Sequence, residues 1–339
     1  MTQAASAVMT GSGKHSYRWI EDWAREMPSP DAAASGWAHP GMAVTPDGVI
    51  VTCHAGLPLI LFFRPDGTLA RSFRLDVTDA HGIAAHGDAI WIADNGAKRL
   101  PGPGYPAHSA PEGGQVLEVA RDGSVRRRYG VPGHPAYAEG KFSPTSMAVG
   151  DDADVWIADG YGQSLVHRYR GERLVQTLSG DEGAAGRFKT PHAVWVDRRP
   201  AKRDPELYVA DRTNARIQVF DLEGTFKRCI GPEAPGATLI TPTAFASSGD
   251  LLFVAEFRGA RITVLDPDDR VVAILGANTD VVQLPGWPNR LDASGQPIRP
   301  PDITPGLFNG PHGIAADAAG SVYAAEWVIG GRYVKLEPV

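Results

Sequence analysis

The sequence predicts an all-β fold: a six-bladed propeller of four-stranded blades, closed by an N-terminal strand. Three observations predict it. One frame recurs six times along the chain: a small-apolar strand, a hairpin, and a second strand ending in most cases on an acidic residue. Each recurrence runs on into a third strand, and five of the six into a fourth, which is the strand count of a propeller blade. The 339 residues include 39 Gly and 28 Pro with no collagen-like period, as many short strands joined by turns require.

The frames follow in order. The first is HPGMAVTPDGVIVTCHAG from His39, and the second AHGIAAHGDAIWIADNG from Ala80. The third is PTSMAVGDDADVWIADGYG from Pro144, and the fourth PHAVWVDRRPAKRDPELYVADRTN from Pro191. The fifth is PTAFASSGDLLFVAEFRG from Pro242, and the sixth PHGIAADAAGSVYAAEWVIG from Pro311. Third strands such as QVLEVA and RIQVF and fourth strands such as SVRRRY and TFKRCI follow, with PDG, RDG, LEG and PDD turns between them. Segments such as AIWIAD and LYVAD are apolar on both faces, as expected of strands sandwiched between neighbouring blades. The sixth unit stops after its third strand at Val339, so its missing strand is assigned to residues 16–24, SYRWIEDWA, which closes the ring and removes the free edges. Residues 16–339 then form one domain and residues 1–15 a flexible tail. Two Pro- and Gly-rich insertions, 97–114 and 276–308, interrupt the pattern, and loops of that length are usually functional or disordered.

Composition narrows the function classes. Hydrophobic residues make up 43% and charged residues 21%, an ordinary globular balance, and the net charge of −6 argues against nucleic acid or an anionic membrane as partner. The two cysteines, Cys53 and Cys229, form no CxxC pattern and predict neither a disulfide framework nor a thiolate metal site. No apolar run approaches a membrane span, and the N-terminus lacks the apolar core of a signal peptide. The expectation is a cytoplasmic protein acting on a small molecule; the sequence leaves its oligomeric state open.

The residue just before the innermost strand is Pro40, His81, Thr145, His192, Thr243 and His312 in successive units. Histidine therefore falls on the second, fourth and sixth blades. Six blades stand about 60° apart, so alternate blades bring side chains about 120° apart at the mouth of the central channel. One histidine in such a fold usually serves structure. Three in one register, on alternate blades, predict a metal site at His81, His192 and His312, with zinc the first choice and other divalent transition metals compatible with imidazole. A second ring is acidic at the end of the second strand in five units: Asp94, Asp159, Asp211, Glu256 and Glu326. Its regularity predicts hydrogen bonds that hold the turns. The residues after it vary, and include His54, Tyr161, Arg212 and Arg258, the candidates for chemistry. Tyr161 suits proton transfer and Arg212 suits a carboxylate.

The phrases ADGYGQSLVHRY, FKTPHAVWVD, YVADRTNARIQVF and GPHGIAAD resemble the NHL-repeat propellers and, more narrowly, the lyase domain of peptidylglycine alpha-amidating enzymes. The resemblance covers all six units. It implies zinc held by His81, His192 and His312, with Tyr161 and Arg212 serving cleavage of the N–C bond of a carbinolamide. A second arginine of that family, in an HRG pattern, is replaced here by His54-Ala55-Gly56, which leaves His54 or Arg258 to take its part. Gly313 stands where the family has its calcium-binding aspartate, so the resemblance does not carry a structural calcium to this chain. The cysteine that follows DGY in secreted members is Gly162 here, in keeping with a reducing compartment. The expected activity is a zinc-dependent carbon–nitrogen lyase. A metal-dependent hydrolase of an ester, lactone or amide, and a non-catalytic binding propeller, are the alternatives.

Overall fold

Six antiparallel sheets form in chain order, each from the strands of one repeated frame. The fold is seen in a computed structural model that describes residues 7–98, 113–150, 154–202, 204–231 and 238–339. Blade one comprises Met42–Val44, Ile50–Cys53, Leu59–Phe63 and Leu69–Arg74. The innermost strands of the other five are Ala80–His86, Ser146–Val149, Pro191–Asp197, Pro242–Ser248 and Pro311–Ala316. These strands contact one another around the axis, the sixth meeting the first, so the ring is closed.

The last blade is completed as expected. His15–Ile20 pairs with the C-terminal strand Arg332–Pro338, with Tyr17 opposite Pro338 and Trp19 opposite Leu336. The expected flexible tail is different at its inner end. Met9–Ser12 folds back on His15–Ile20 through a turn at Gly13, where φ is +56°, and makes a fifth strand on this blade. The MTGSG stretch supplies the glycine that such a turn needs.

Six apolar cores result, one in each gap between neighbouring blades. Second strands such as Ala89–Asp94, Asp154–Asp159 and Glu206–Asp211 are buried along their whole length, because each face meets a different core. Of the two insertions, residues 99–112 lie outside the described residues. The other, 276–308, carries a short hairpin, Arg290–Leu291 with Pro297–Ile298, and lays Trp287 against Phe257 with ring centroids 4.4 Å apart. Among the described residues no helix is long and apolar enough to cross a membrane.

The start of the innermost strand positions the site. In blades two, four, five and six the register slips by one residue there, between Ala80 and Gly82, Pro191 and Ala193, Pro242 and Ala244, and Pro311 and Gly313. The extra residues are His81, His192, Thr243 and His312. A β-bulge leaves its extra residue unpaired and re-aims the side chain, which takes the three imidazoles out of the pleat.

Candidate active site

The acidic ring sets the peptides that lead into these bulges. Asp94 accepts the N–H of Asp79 at 3.0 Å, Asp211 that of Lys189 at 2.6 Å, and Glu326 that of Asn309 at 2.6 Å. Asp159 and Glu256 accept from Ser143 and Ile240 in the same way. Each carboxylate thus anchors the chain two or three residues before His81, Thr145, His192, Thr243 or His312, the residue that opens the innermost strand of its own blade. In blade one no acid stands at this point, and His54 takes over the turn. Its Nδ1 accepts from the N–H groups of Gly56 and Leu57 at 3.0 and 2.9 Å, and its Nε2 donates to the Pro28 carbonyl at 2.8 Å.

The three in-register histidines converge. Their ring centroids are 4.8 Å apart for His81 and His192, 4.7 Å for His81 and His312, and 5.1 Å for His192 and His312. Each is anchored on the next odd-numbered blade. Nδ1 of His81 donates to the Thr145 carbonyl at 2.7 Å, Nδ1 of His192 to that of Thr243 at 2.7 Å, and Nδ1 of His312 to that of Pro40 at 3.3 Å. A carbonyl can only accept, so Nδ1 carries the proton and Nε2 keeps a lone pair. Burial first, then neighbouring imidazoles and, for His192 and His312, Arg212, hold all three well below the usual histidine range, so they are neutral.

The Tyr161 hydroxyl lies against this cluster, 3.0 Å from Nε2 of His192 and 3.3 Å from Nε2 of His81. An Arg212 N–H donates to the same hydroxyl at 3.2 Å. Nε2 of His312 is buried and has no hydrogen-bond partner among the described residues. A buried, unsatisfied lone pair is costly, and a cation bound there would satisfy it. Neutral imidazoles with fixed Nδ1–H groups and unprotonated Nε2 atoms are what zinc and the neighbouring transition metals take.

Above the cluster opens a cavity of ≈ 570 Å³, lined in part by Tyr161, Arg212, Lys98, Lys141, Arg258, Phe257 and Trp327. Four of the described lining residues are cations and none is acidic. Below it, the histidines end a separate cavity of ≈ 160 Å³ between the innermost strands, lined by residues such as Met42, Ile83, Phe245 and Ile314. The histidine layer divides an apolar channel from a cationic mouth.

No protein-family model matches the chain. Human NHL repeat-containing protein 3 is 28% identical over 224 residues, which span 62% of this chain and 58% of that protein. Peptidyl-alpha-hydroxyglycine alpha-amidating lyase 1 of Drosophila melanogaster is 25% identical over 255 residues, 70% of this chain and 41% of the fly protein. The chain is a six-bladed propeller similar in sequence to an NHL repeat-containing protein and, more weakly, to an amidating lyase. It spans well under two thirds of the length of these relatives. Two solved structures share the fold: a streptogramin B lyase, with a TM-score of 0.57, 15% identity and coverage of 98% of this chain and 99% of that one, and a gluconolactonase from Xanthomonas campestris, with a TM-score of 0.56, 15% identity and coverage of 99% and 93%.

The propeller brings together most of the residues singled out from sequence. Tyr161 and Arg212 meet the histidines, and Arg258 stands at the exposed rim of the mouth, its guanidinium 5.3 Å from the Trp287 ring. His54 does not belong with them. It is buried, both its ring nitrogens are spent on backbone, and it is absent from the described lining of the mouth. Gly313 is glycine for a local reason: a Cβ there would lie 2.3 Å from the Pro40 carbonyl oxygen, so no aspartate fits without moving blade one. Sequence reasoning missed His39. Its ring lies 4.4 Å from that of His81 and 4.3 Å from that of His312. Its signal was the HPG of blade one, which reverses the PH order of blade six and so puts the histidine one residue out of register.

Proposed function

We propose that this propeller is a metal-dependent lyase that cleaves the N–C bond of a carbinolamide or α-hydroxy-amide. One observation carries the reading: the Tyr161 hydroxyl meets Arg212 and two histidine Nε2 atoms at the floor of a cavity whose described lining is cationic. His81, His192 and His312 would hold the ion, zinc in the first instance. When bound, it supplies Lewis acidity toward a substrate oxygen. The chain's own groups do the rest. The Tyr161 oxygen takes up or passes on the proton of the substrate hydroxyl, and the Arg212 cation beside it stabilises negative charge developing there. The substrate O–H and C–N bonds break while C=O and N–H bonds form. The proton therefore moves from oxygen to nitrogen with no co-reactant. Arg258, Lys98 and Lys141 favour an anionic group on the substrate, and Phe257 and Trp327 offer it a flat apolar wall.

The test is turnover of an N-acyl-α-hydroxyglycine by metal-replete protein in ¹⁸O-labelled water. The expected products are the primary amide, with its carbonyl oxygen unlabelled, and glyoxylate. Solvent label entering a carboxylate product would instead mark a hydrolase. Fewer than about half a metal ion per chain after metal-replete expression would remove the reading altogether.

A further inference from the structure

His39 is left without a role in that reaction, yet it touches two of its histidines. We propose that His39 is itself a ligand of the metal centre, oriented by Asp79; the proposal rests on the reading that the histidine cluster holds a metal. The ligand nitrogens of His39, His81 and His312 all lie within 4.8 Å of one another. The centroid of the His39 ring is nearer to those of His81 and His312, at 4.4 and 4.3 Å, than is that of His192, at 4.8 and 5.1 Å. Nδ1 of His39 lies 3.0 Å from a carboxylate oxygen of Asp79. The carboxylate accepts, so Nδ1 bears the hydrogen and the ring lone pair lies on Nε2. A carboxylate behind a histidine is the usual means of fixing the tautomer and orientation of a metal-bound imidazole.

The support behind Asp79 is built to last. Its side chain is fully buried, and it receives hydrogen bonds from Asn95 and Lys98, each at 3.2 Å. Burial opposes the charge on Lys98, but the Asp79 carboxylate more than offsets it and keeps the ammonium protonated. His39 is also held from its other side. The preceding residue, Ala38, donates its N–H to the Val328 carbonyl at 3.1 Å, and the Trp327 ring stacks on the imidazole at 4.8 Å. His192, by contrast, shares its Nε2 with the Tyr161 hydroxyl. The metal set is therefore larger than the register alone provides, with His39 entering from blade one.

The experiment measures zinc and cobalt(II) affinity of the full chain by competition with a chromophoric chelator, and records the visible spectrum of the cobalt(II) form. His39→Ala and the bulkier His39→Gln are expected to weaken binding about 100-fold or more and to change the cobalt spectrum. Asp79→Asn is expected to weaken it about 10- to 100-fold, the range seen when the partner behind a ligand is removed. Melting of each metal-free variant alongside metal-free wild type identifies any that fail to fold, and the remaining variants then decide. Folded variants that keep wild-type affinity and an unchanged cobalt spectrum overturn the proposal while leaving the metal reading intact. A wild-type chain that binds neither ion overturns both.

Discussion

Tyr161 has one hydroxyl proton and, among the described residues, three nitrogens within hydrogen-bond distance of its oxygen. Arg212 can only donate to it, so the hydroxyl can give its own proton to just one of the two Nε2 atoms of His81 and His192. The oxygen is therefore placed to exchange a proton with whatever occupies the cavity. Tyr161→Phe removes that exchange and leaves every imidazole in place. Steady-state kinetics on the α-hydroxy-amide should show kcat lowered about 100-fold or more, within the span of general acid–base contributions, with metal per chain unchanged. A parallel fall in metal content would show that Tyr161 supports the ligands instead of the chemistry.

At the scale of the elements, the bulge at the start of the innermost strand is the device that makes a site from a repeat. It turns the extra residue out of the ladder, and the carbonyl of the neighbouring blade then fixes the imidazole through Nδ1. Thr145, Thr243 and Pro40, the residues that replace histidine on the odd blades, are the ones that supply those carbonyls. Gly82 and Gly313 let the neighbouring backbone come close enough, since a Cβ would meet the Thr145 oxygen at 2.5 Å or the Pro40 oxygen at 2.3 Å. Gly313→Ala must therefore push blade one away from His312. Denaturant unfolding should show a loss of about 1–3 kcal/mol, as overpacking does, with the midpoint lowered and the slope unchanged.

At the scale of the whole molecule, blades four and five are tied by a buried ion network far from the histidines. Arg199, whose side chain is fully buried, bonds Asp197 and Asp269 at 2.9 and 2.8 Å. Arg228 grips both oxygens of Glu206, at 2.8 and 2.7 Å, and also reaches Asp269. Asp269 stands where the other turns carry glycine and accepts a φ of +63°, held there by its partners. Burial pushes the Glu206 carboxyl up, but its bonds to Arg228 and Lys227 outweigh that and bring it to about 2, against an ordinary 4.5. Because the folded value is depressed, this stabilisation is complete above about pH 4.5 and is lost as pH falls toward about 2. Denaturant titrations across this window should show wild-type stability falling with pH, and Glu206→Gln should have a shallower slope there. An equal slope would place the acid sensitivity in other carboxylates.

The sequence by itself determined the blade count, the closure by an N-terminal strand and the alternate placing of His81, His192 and His312. It could do so because a repeat converts position along the chain into angle around an axis, and strand alternation is a local property. The acidic ring was legible for the same reason, as a regular feature with a regular structural use. Only the tertiary structure decided the rest. His39 sits one residue out of register, and its orienting carboxylate, Asp79, comes from the neighbouring blade. His54 follows the same frame as Tyr161 and Arg212 but turns to backbone, because blade one lacks the acid that holds this turn elsewhere. Of the cations of the mouth, Arg212 and Arg258 were marked by their place after the acidic ring, whereas Lys98 and Lys141 lie in loops outside the repeated frame. Their meeting depends on where the loops end in space, which is set by bulges, close glycine contacts and packing between blades, and no periodicity along one chain records it.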